Sequence, residues 1–278
     1  MRYGIVIDTE NCMECYNCFM ACKDEHCGFT TAVSAPQPHT GQHWIRIDGK
    51  ERGNDTRKIK ASNVAVLCAH CQDAPCLKAA KGGAVYARPD GIVIIDPKKA
   101  EGQKEIVSAC PIGAIFWNEE LNLPQKCTMC AHLLDEGYAT PRCVEACPNG
   151  TLYFGDLDDP ESAVSKKLRE ADRVTPLKEL GDIKTNVAYL NIPTVFLAGS
   201  VYLPDDEAAE GALVTLTERG SGKKREVNTN YFGDWEFEWL TPGADYDILV
   251  EMPGYNPFSC AAKADTDRFV GEIVLEKA

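Results

Sequence analysis

The chain has no run of about 18 uncharged apolar residues, the length a helix needs to cross a bilayer, so no membrane insertion is expected of it. Its first residues, Met1 to Asp8, hold no apolar stretch of signal-peptide length. A cytoplasmic location is therefore expected, with export in complex with a signal-bearing partner as the alternative. Basic charge is also scarce: 29 Lys and Arg stand against 42 Asp and Glu, a formal net charge of −13. Displacing counterions from phosphates requires a basic face, which excludes nucleic acid as a partner. No acid/base pair, nucleophile constellation or phosphate-cradling loop can be picked out, so no catalytic residue is assigned. Disorder is excluded by 44% hydrophobic content, and 278 residues suffice for two domains.

Cysteine, by contrast, is plentiful at fourteen residues. In a chain without an export signal this number points to metal or redox chemistry rather than to disulfides. Twelve fall into groups. Cys12, Cys15, Cys18 and Cys22 make a Cys-x-x-Cys-x-x-Cys-x-x-x-Cys run; Cys68, Cys71 and Cys76 follow; Cys110 stands before Pro111; Cys127, Cys130, Cys143 and Cys147 end before Pro148. Cys27 and Cys260 are left over and read as ordinary, partly buried thiols. A lone Cys-x-x-Cys pair would suit a zinc ribbon. The full run with a closing proline is instead the bacterial ferredoxin pattern, in which three thiolates hold one iron–sulfur cube and the fourth reaches its neighbour.

An internal repeat decides the number of cubes. Gly4-Ile-Val-Ile-Asp8 leads to Cys12 as Gly91-Ile-Val-Ile-Ile-Asp96 leads to Ala100. Shifting the first run onto the second places its ligands at Ala100, Gln103, Ile106 and Cys110. Likewise Cys110-Pro-Ile-Gly-Ala aligns with Cys147-Pro-Asn-Gly-Thr and with Ala80-Lys-Gly-Gly-Ala, so position 80 is a lost ligand too. When each cube takes three ligands from one run and the last from another, Ala80, Ala100, Gln103 and Ile106 are one vanished cube. Three 4Fe–4S clusters remain: cluster A on Cys12, Cys15, Cys18 and Cys147; cluster B on Cys22, Cys127, Cys130 and Cys143; cluster C on Cys68, Cys71, Cys76 and Cys110. Lys126, His70 and His132 stand near these thiols as groups able to tune a cluster.

The expected fold is α+β, with a tandem ferredoxin-like domain over 1–158, a helical and irregular linker over 159–192, and a small antiparallel β-sandwich of immunoglobulin or transthyretin type over 193–278. Gly28 to Gln42 reads as a long loop, and the charged excursion to Lys60 as either solvated or a partner surface. Asp159-Pro160-Glu161 reads as a helix start, and Thr175 to Asn191 as an irregular connector. Six short strands are expected between Val195 and Leu275, with Trp235, Phe237 and Trp239 alternating inward.

Over residues 1 to about 155 the four-run arrangement resembles the iron–sulfur β subunits of molybdopterin oxidoreductases related to dimethyl sulfoxide reductase. Asn17-Cys18-Phe19-Met20, Gly91 to Pro97, Trp117-Asn-Glu-Glu120 and Gln125 to Asp135 are similar to the small subunits of pyrogallol–phloroglucinol transhydroxylases and of related catechol dehydroxylases. The resemblance implies a large partner subunit with a molybdenum or tungsten bis-pterin centre acting on aromatic polyols. It implies electron transfer, not catalysis, for this chain. A free-standing ferredoxin-like carrier with a docking sandwich is the rival reading.

Overall fold

The computed structural model describes residues 1–278. Sheet predominates and the helices are short. Two compact units are present, one of Met1–Gly49 and Asn63–Ile192, the other of Lys50–Ser62 and Pro193–Ala278.

In the first unit, β1 (Tyr3–Asp8) is followed by α1 (Asn17–His26), then by the long strands β2 (Ile45–Asp55) and β3 (Lys58–Leu67). Next come α2 (Pro75–Ala79), β4 (Val85–Ala87), β5 (Val93–Ile95), α3 (Glu105–Ser108), β6 (Ile115–Asn118), β7 (Leu123–Lys126), α4 (Ala131–Asp135), α5 (Arg142–Glu145), β8 (Leu152–Asp156), α6 (Ala163–Glu170) and β9 (Val187–Leu190). Strand β1 is central, antiparallel to β8 and parallel to β9. Its period-two pattern buries both faces. Ile5 and Ile7 enter the core that holds most of the cysteines, while Val6 packs with Val164 of α6 and with Leu190. The β4–β5 and β6–β7 hairpins complete the ligand-bearing layer.

Three expectations need correction here. The stretch read as an irregular connector contains β9, a buried strand whose pairing partner lies at the other end of the unit. Helix α6 starts at Ala163 because Ser162, not Asp159, accepts the Ser165 amide at 3.3 Å; Asp159 serves only a turn, accepting from the Glu161 amide at 2.9 Å. The charged excursion is the β2–β3 hairpin, and its tip is counted with the second unit. There Arg52, buried, clasps the Asp267 carboxylate at 2.7 and 3.0 Å, and Lys58 and Lys60 bind Glu236.

The second unit continues with β10 (Val195–Tyr202), β11 (Leu213–Glu218), β12 (Lys224–Asn228), β13 (Asp234–Leu240), β14 (Asp245–Glu251), β15 (Phe258–Lys263) and β16 (Arg268–Val274). They form sheets of order β13-β10-β16 and β12-β11-β14-β15, which share one apolar core of Leu197, Val214, Trp235, Phe237, Ile248 and their neighbours. Strand β15 was not expected; it lies at a sheet edge against β14. One pair, β10 with β16, is parallel, because β16 arrives from the other sheet rather than by a hairpin. Trp235 and Phe237 are buried as expected, but Trp239 has φ 51° and breaks the alternation, so Leu240 takes the inward place. No helix is long and apolar enough to cross a membrane.

Candidate metal centres

Three Cys-x-x-Cys pairs share one backbone turn. The residue before the second cysteine lies in the left-handed region each time, with φ of 57° at Glu14, 43° at His70 and 55° at Met129. That conformation costs a non-glycine residue roughly 1–2 kcal/mol, so its recurrence under three different side chains marks a loop whose backbone shape matters. The turn aims an amide at sulfur: Met129 donates to Cys127 Sγ at 3.3 Å, and the Glu14 amide makes the equivalent bond to Cys12.

The Cys-Pro turns repeat in the same way. Gly113 and Gly150 both have φ 61°, and the following amides, Ala114 and Thr151, donate to Cys110 Sγ at 3.3 Å and Cys147 Sγ at 3.4 Å. Burial would raise the Cys147 thiol, but the Thr151, Asn149 and Leu152 amides and the Thr151 hydroxyl together hold it below the usual range.

The fold brings twelve thiols into three groups. Burial raises Cys12, and the neighbouring Cys147 and Cys15 add to it; burial carries Cys18 up to about 11 with the same neighbours. These four line one cavity with Met13, Ile47 and Leu152. Burial raises Cys22 well above the ordinary range, with Cys127 and Cys130 beside it, and raises Cys143 likewise, with Cys130, Cys127 and Cys22 beside it. In the third group burial pushes Cys71 to about 12, with Cys68, Cys76 and Cys110 as neighbours. The groups are in series: Cys18 neighbours Cys143, and Cys127 neighbours Cys68. Of the twelve, Cys15 alone is exposed, and largely buried thiols that repel one another as thiolates suit a multiply charged cation, which favours their anionic form. No three Cys, His, Asp or Glu converge closely enough for a single ion.

At the fourth set the side chains are ordinary. Ala100 and Ile106 are fully buried in one apolar cluster against which Ala80 packs. Gln103 closes the space by hydrogen bonds to the Lys81 amide and carbonyl at 2.8 and 3.2 Å.

Three histidines surround the thiols. His70 is fully buried; its Nδ1 accepts the Val93 amide at 3.0 Å, while Nε2 has no partner. His132 Nε2 meets Glu25 Oε1 at 2.9 Å, and Glu25 also pairs with Arg142 at 3.2 Å. His26, which the sequence reading passed over, stands 3.6 Å from Cys130 Sγ and is pushed down to about 3 by burial and by His132. Its signal was present: Cys18, Cys22 and His26 fall at i, i+4 and i+8 on the buried face of α1. Cys27 Sγ lies 3.2 Å from His39 Nδ1, and Cys260 is half-buried on β15.

A family model described as "4Fe-4S dicluster domain" matches residues 59–157. The pyrogallol hydroxytransferase small subunit of Pelobacter acidigallici is 39% identical over 265 residues, covering 91% of this chain and 92% of that protein. A putative dimethyl sulfoxide reductase iron–sulfur subunit of Halobacterium salinarum is 34% identical over 246 residues, covering 76% and 89%. A tetrathionate reductase subunit of Salmonella typhimurium is 32% identical over 199 residues, covering 70% and 75%.

Proposed function

The chain belongs to the iron–sulfur subunits of the molybdopterin oxidoreductases, and from that premise we propose that it is a three-cluster wire. Cluster A is held by Cys12, Cys15, Cys18 and Cys147, cluster B by Cys22, Cys127, Cys130 and Cys143, and cluster C by Cys68, Cys71, Cys76 and Cys110. A bound 4Fe–4S cube changes charge by one electron with little change of shape. The protein's own part is to bury most of the ligating thiols, to aim amides at sulfur and to set the order A–B–C. The gathering of twelve thiols into three neighbouring quartets, each drawn from separate stretches of chain, carries this reading.

The partner we infer is a large subunit with a molybdenum or tungsten bis-pterin centre, joined to this chain in a heterodimer. Its substrate class is an aromatic polyol, a reading supported by the 39% identity to a pyrogallol hydroxytransferase small subunit across nearly the whole chain. Two net reactions fit: reductive removal of a catechol hydroxyl, or redox-neutral transfer of a hydroxyl between rings. We read the second unit as a small β-sandwich of immunoglobulin or transthyretin type. Its two sheets and common core support that reading.

Metal analysis of the anaerobically purified complex tests the proposal. About twelve iron atoms per chain are expected from three cubes, with molybdenum or tungsten on a copurifying large subunit. Iron at that level without a heavy metal or a partner would make the chain a free carrier instead. A reduced viologen dye then separates the reactions: continuous bleaching on addition of the aromatic substrate marks a reductase, and product without bleaching a transhydroxylase.

A further inference from the structure

Lys126 ends β7 and is almost fully buried. Its ammonium donates to the Val93 carbonyl and, at 3.0 Å, to the Cys127 carbonyl, and it pairs with no carboxylate. A buried cation left without an anion is strongly unfavourable, so its counter-charge must come from something else nearby. The anionic groups at hand are thiolates. Cys76, Cys110 and Cys127 all have Lys126 as a charged neighbour, and at Cys76 it is the strongest one.

The same stretch of backbone holds a second group. The Val93 carbonyl takes Lys126, and the Val93 amide donates to His70 Nδ1 at 3.0 Å. With Nδ1 accepting, the ring proton sits on Nε2, which is buried and has no protein acceptor. Because His70 lies between Cys68 and Cys71 in sequence, this donor belongs to the loop of the third thiol quartet. Val93 thus anchors both a buried cation and a buried imidazole whose Nε2 proton has no protein acceptor.

We propose that Lys126 is the counter-ion of cluster C, and that with the Nε2 proton of His70 it makes this cluster easier to reduce than its dry pocket alone would allow. The proposal rests on the assignment of Cys68, Cys71, Cys76 and Cys110 as ligands. Adding an electron adds negative charge, which a nearby cation and a donor to sulfur stabilise, while burial opposes it.

The test is a potentiometric titration of the intact complex followed by electron paramagnetic resonance, with iron counted in each sample. Lys126→Met is expected to keep its iron and to lower one midpoint. At fixed ambient potential the reduced-to-oxidised ratio of that signal should fall about tenfold, equivalent to about 59 mV for one electron. Lys126→Arg should stay within about threefold of wild type, since it keeps the charge. His70→Asn, which retains an acceptor for the Val93 amide but removes the Nε2 donor, should move the same signal in the same direction; it carries the test if Lys126→Met does not assemble. Unchanged midpoints in Lys126→Met, or in His70→Asn where Lys126→Met does not assemble, would overturn the proposal, as would an equal shift in Lys126→Arg and Lys126→Met. Fewer than three cubes in the wild type, or persistence of the shifted signal in Cys76→Ala, would instead reject the ligand assignment and the proposal with it.

Discussion

The amide of Ala84 donates to the carbonyl of Lys81 at 3.1 Å. In the two turns that repeat this one, the same amide, that of Ala114 or Thr151, donates to a cysteine sulfur. The backbone makes the same turn at position 80, which carries no thiol, with Gly83 at φ 69° beside 61° at Gly113 and Gly150. A hydrogen bond within the turn satisfies the amide that has no sulfur to donate to.

Cys76→Ala should remove one cube and leave two. Total iron should fall by about a third, from about twelve atoms per chain, with two cluster signals unchanged. A larger loss in a protein that remains folded by circular dichroism would contradict the assignment of Cys76 to cluster C.

Only Cys27 and Cys260 should react with iodoacetamide in the anaerobic, iron-loaded protein, and all fourteen cysteines after the iron is stripped and the chain unfolded. Cys260 should be the slower of the two, because burial raises its thiol and lowers the thiolate fraction. Mass mapping of the labelled peptides reads both points. Labelling of any of the twelve grouped cysteines in the loaded protein would remove it from the ligand set.

Gly113→Ala and Gly150→Ala should each cost about 1–2 kcal/mol by thermal melting, with iron retained. An added Cβ at Gly113 meets nothing within 4 Å and at Gly150 only an ordinary contact at 3.7 Å to Tyr153 Oη, so the cost is the left-handed backbone alone. Gly233→Ala should be worse, since its Cβ would fall 2.3 Å from the Val201 carbonyl oxygen.

Burial would raise the Glu236 carboxyl, yet Lys58 and Lys60 hold it below the ordinary range. A carboxylate depressed in the folded state stabilises above its unfolded pKa, and that contribution is lost as pH falls through the folded value. Glu236→Gln should therefore destabilise by about 1–2 kcal/mol at neutral pH, between the worth of an exposed and a buried pair. The gap to wild type should close in acid below the ordinary carboxylate range. A gap that persists there in denaturant titrations would assign the effect to packing.

The ligand positions and the hairpins beside them were legible in the sequence because their signals are local: fixed spacings, Cys-Pro turns and a Pro89-Asp90-Gly91 hairpin. What escaped was decided at a distance. Strand β9 is only four residues long, and its partner β1 precedes it by some 180 residues. Strand β15, Phe-Ser-Cys-Ala-Ala-Lys, has weak intrinsic preference for sheet and exists because β14 offers it an edge. His26 escaped for another reason: its spacing from Cys18 and Cys22 put it on their face of α1, but a polar residue on a buried face carries no mark of its role until the packing against Trp44 is seen.

The central position of β1 also bears on the order in which the protein can mature. Its partners β8 and β9 leave the ribosome last among the strands of the first unit, so the opening strand waits unpaired until Leu152 to Asp156 are made and is flanked on both sides only once Val187 to Leu190 follow. The first four cysteines wait with it, since the thiols beside them come from Cys127 to Cys147. On the proposed ligand sets, iron loading at clusters A and B is therefore a late event in biosynthesis, and a chain released before Cys127 to Cys147 are made would leave Cys12 to Cys22 without the thiols that complete their sets.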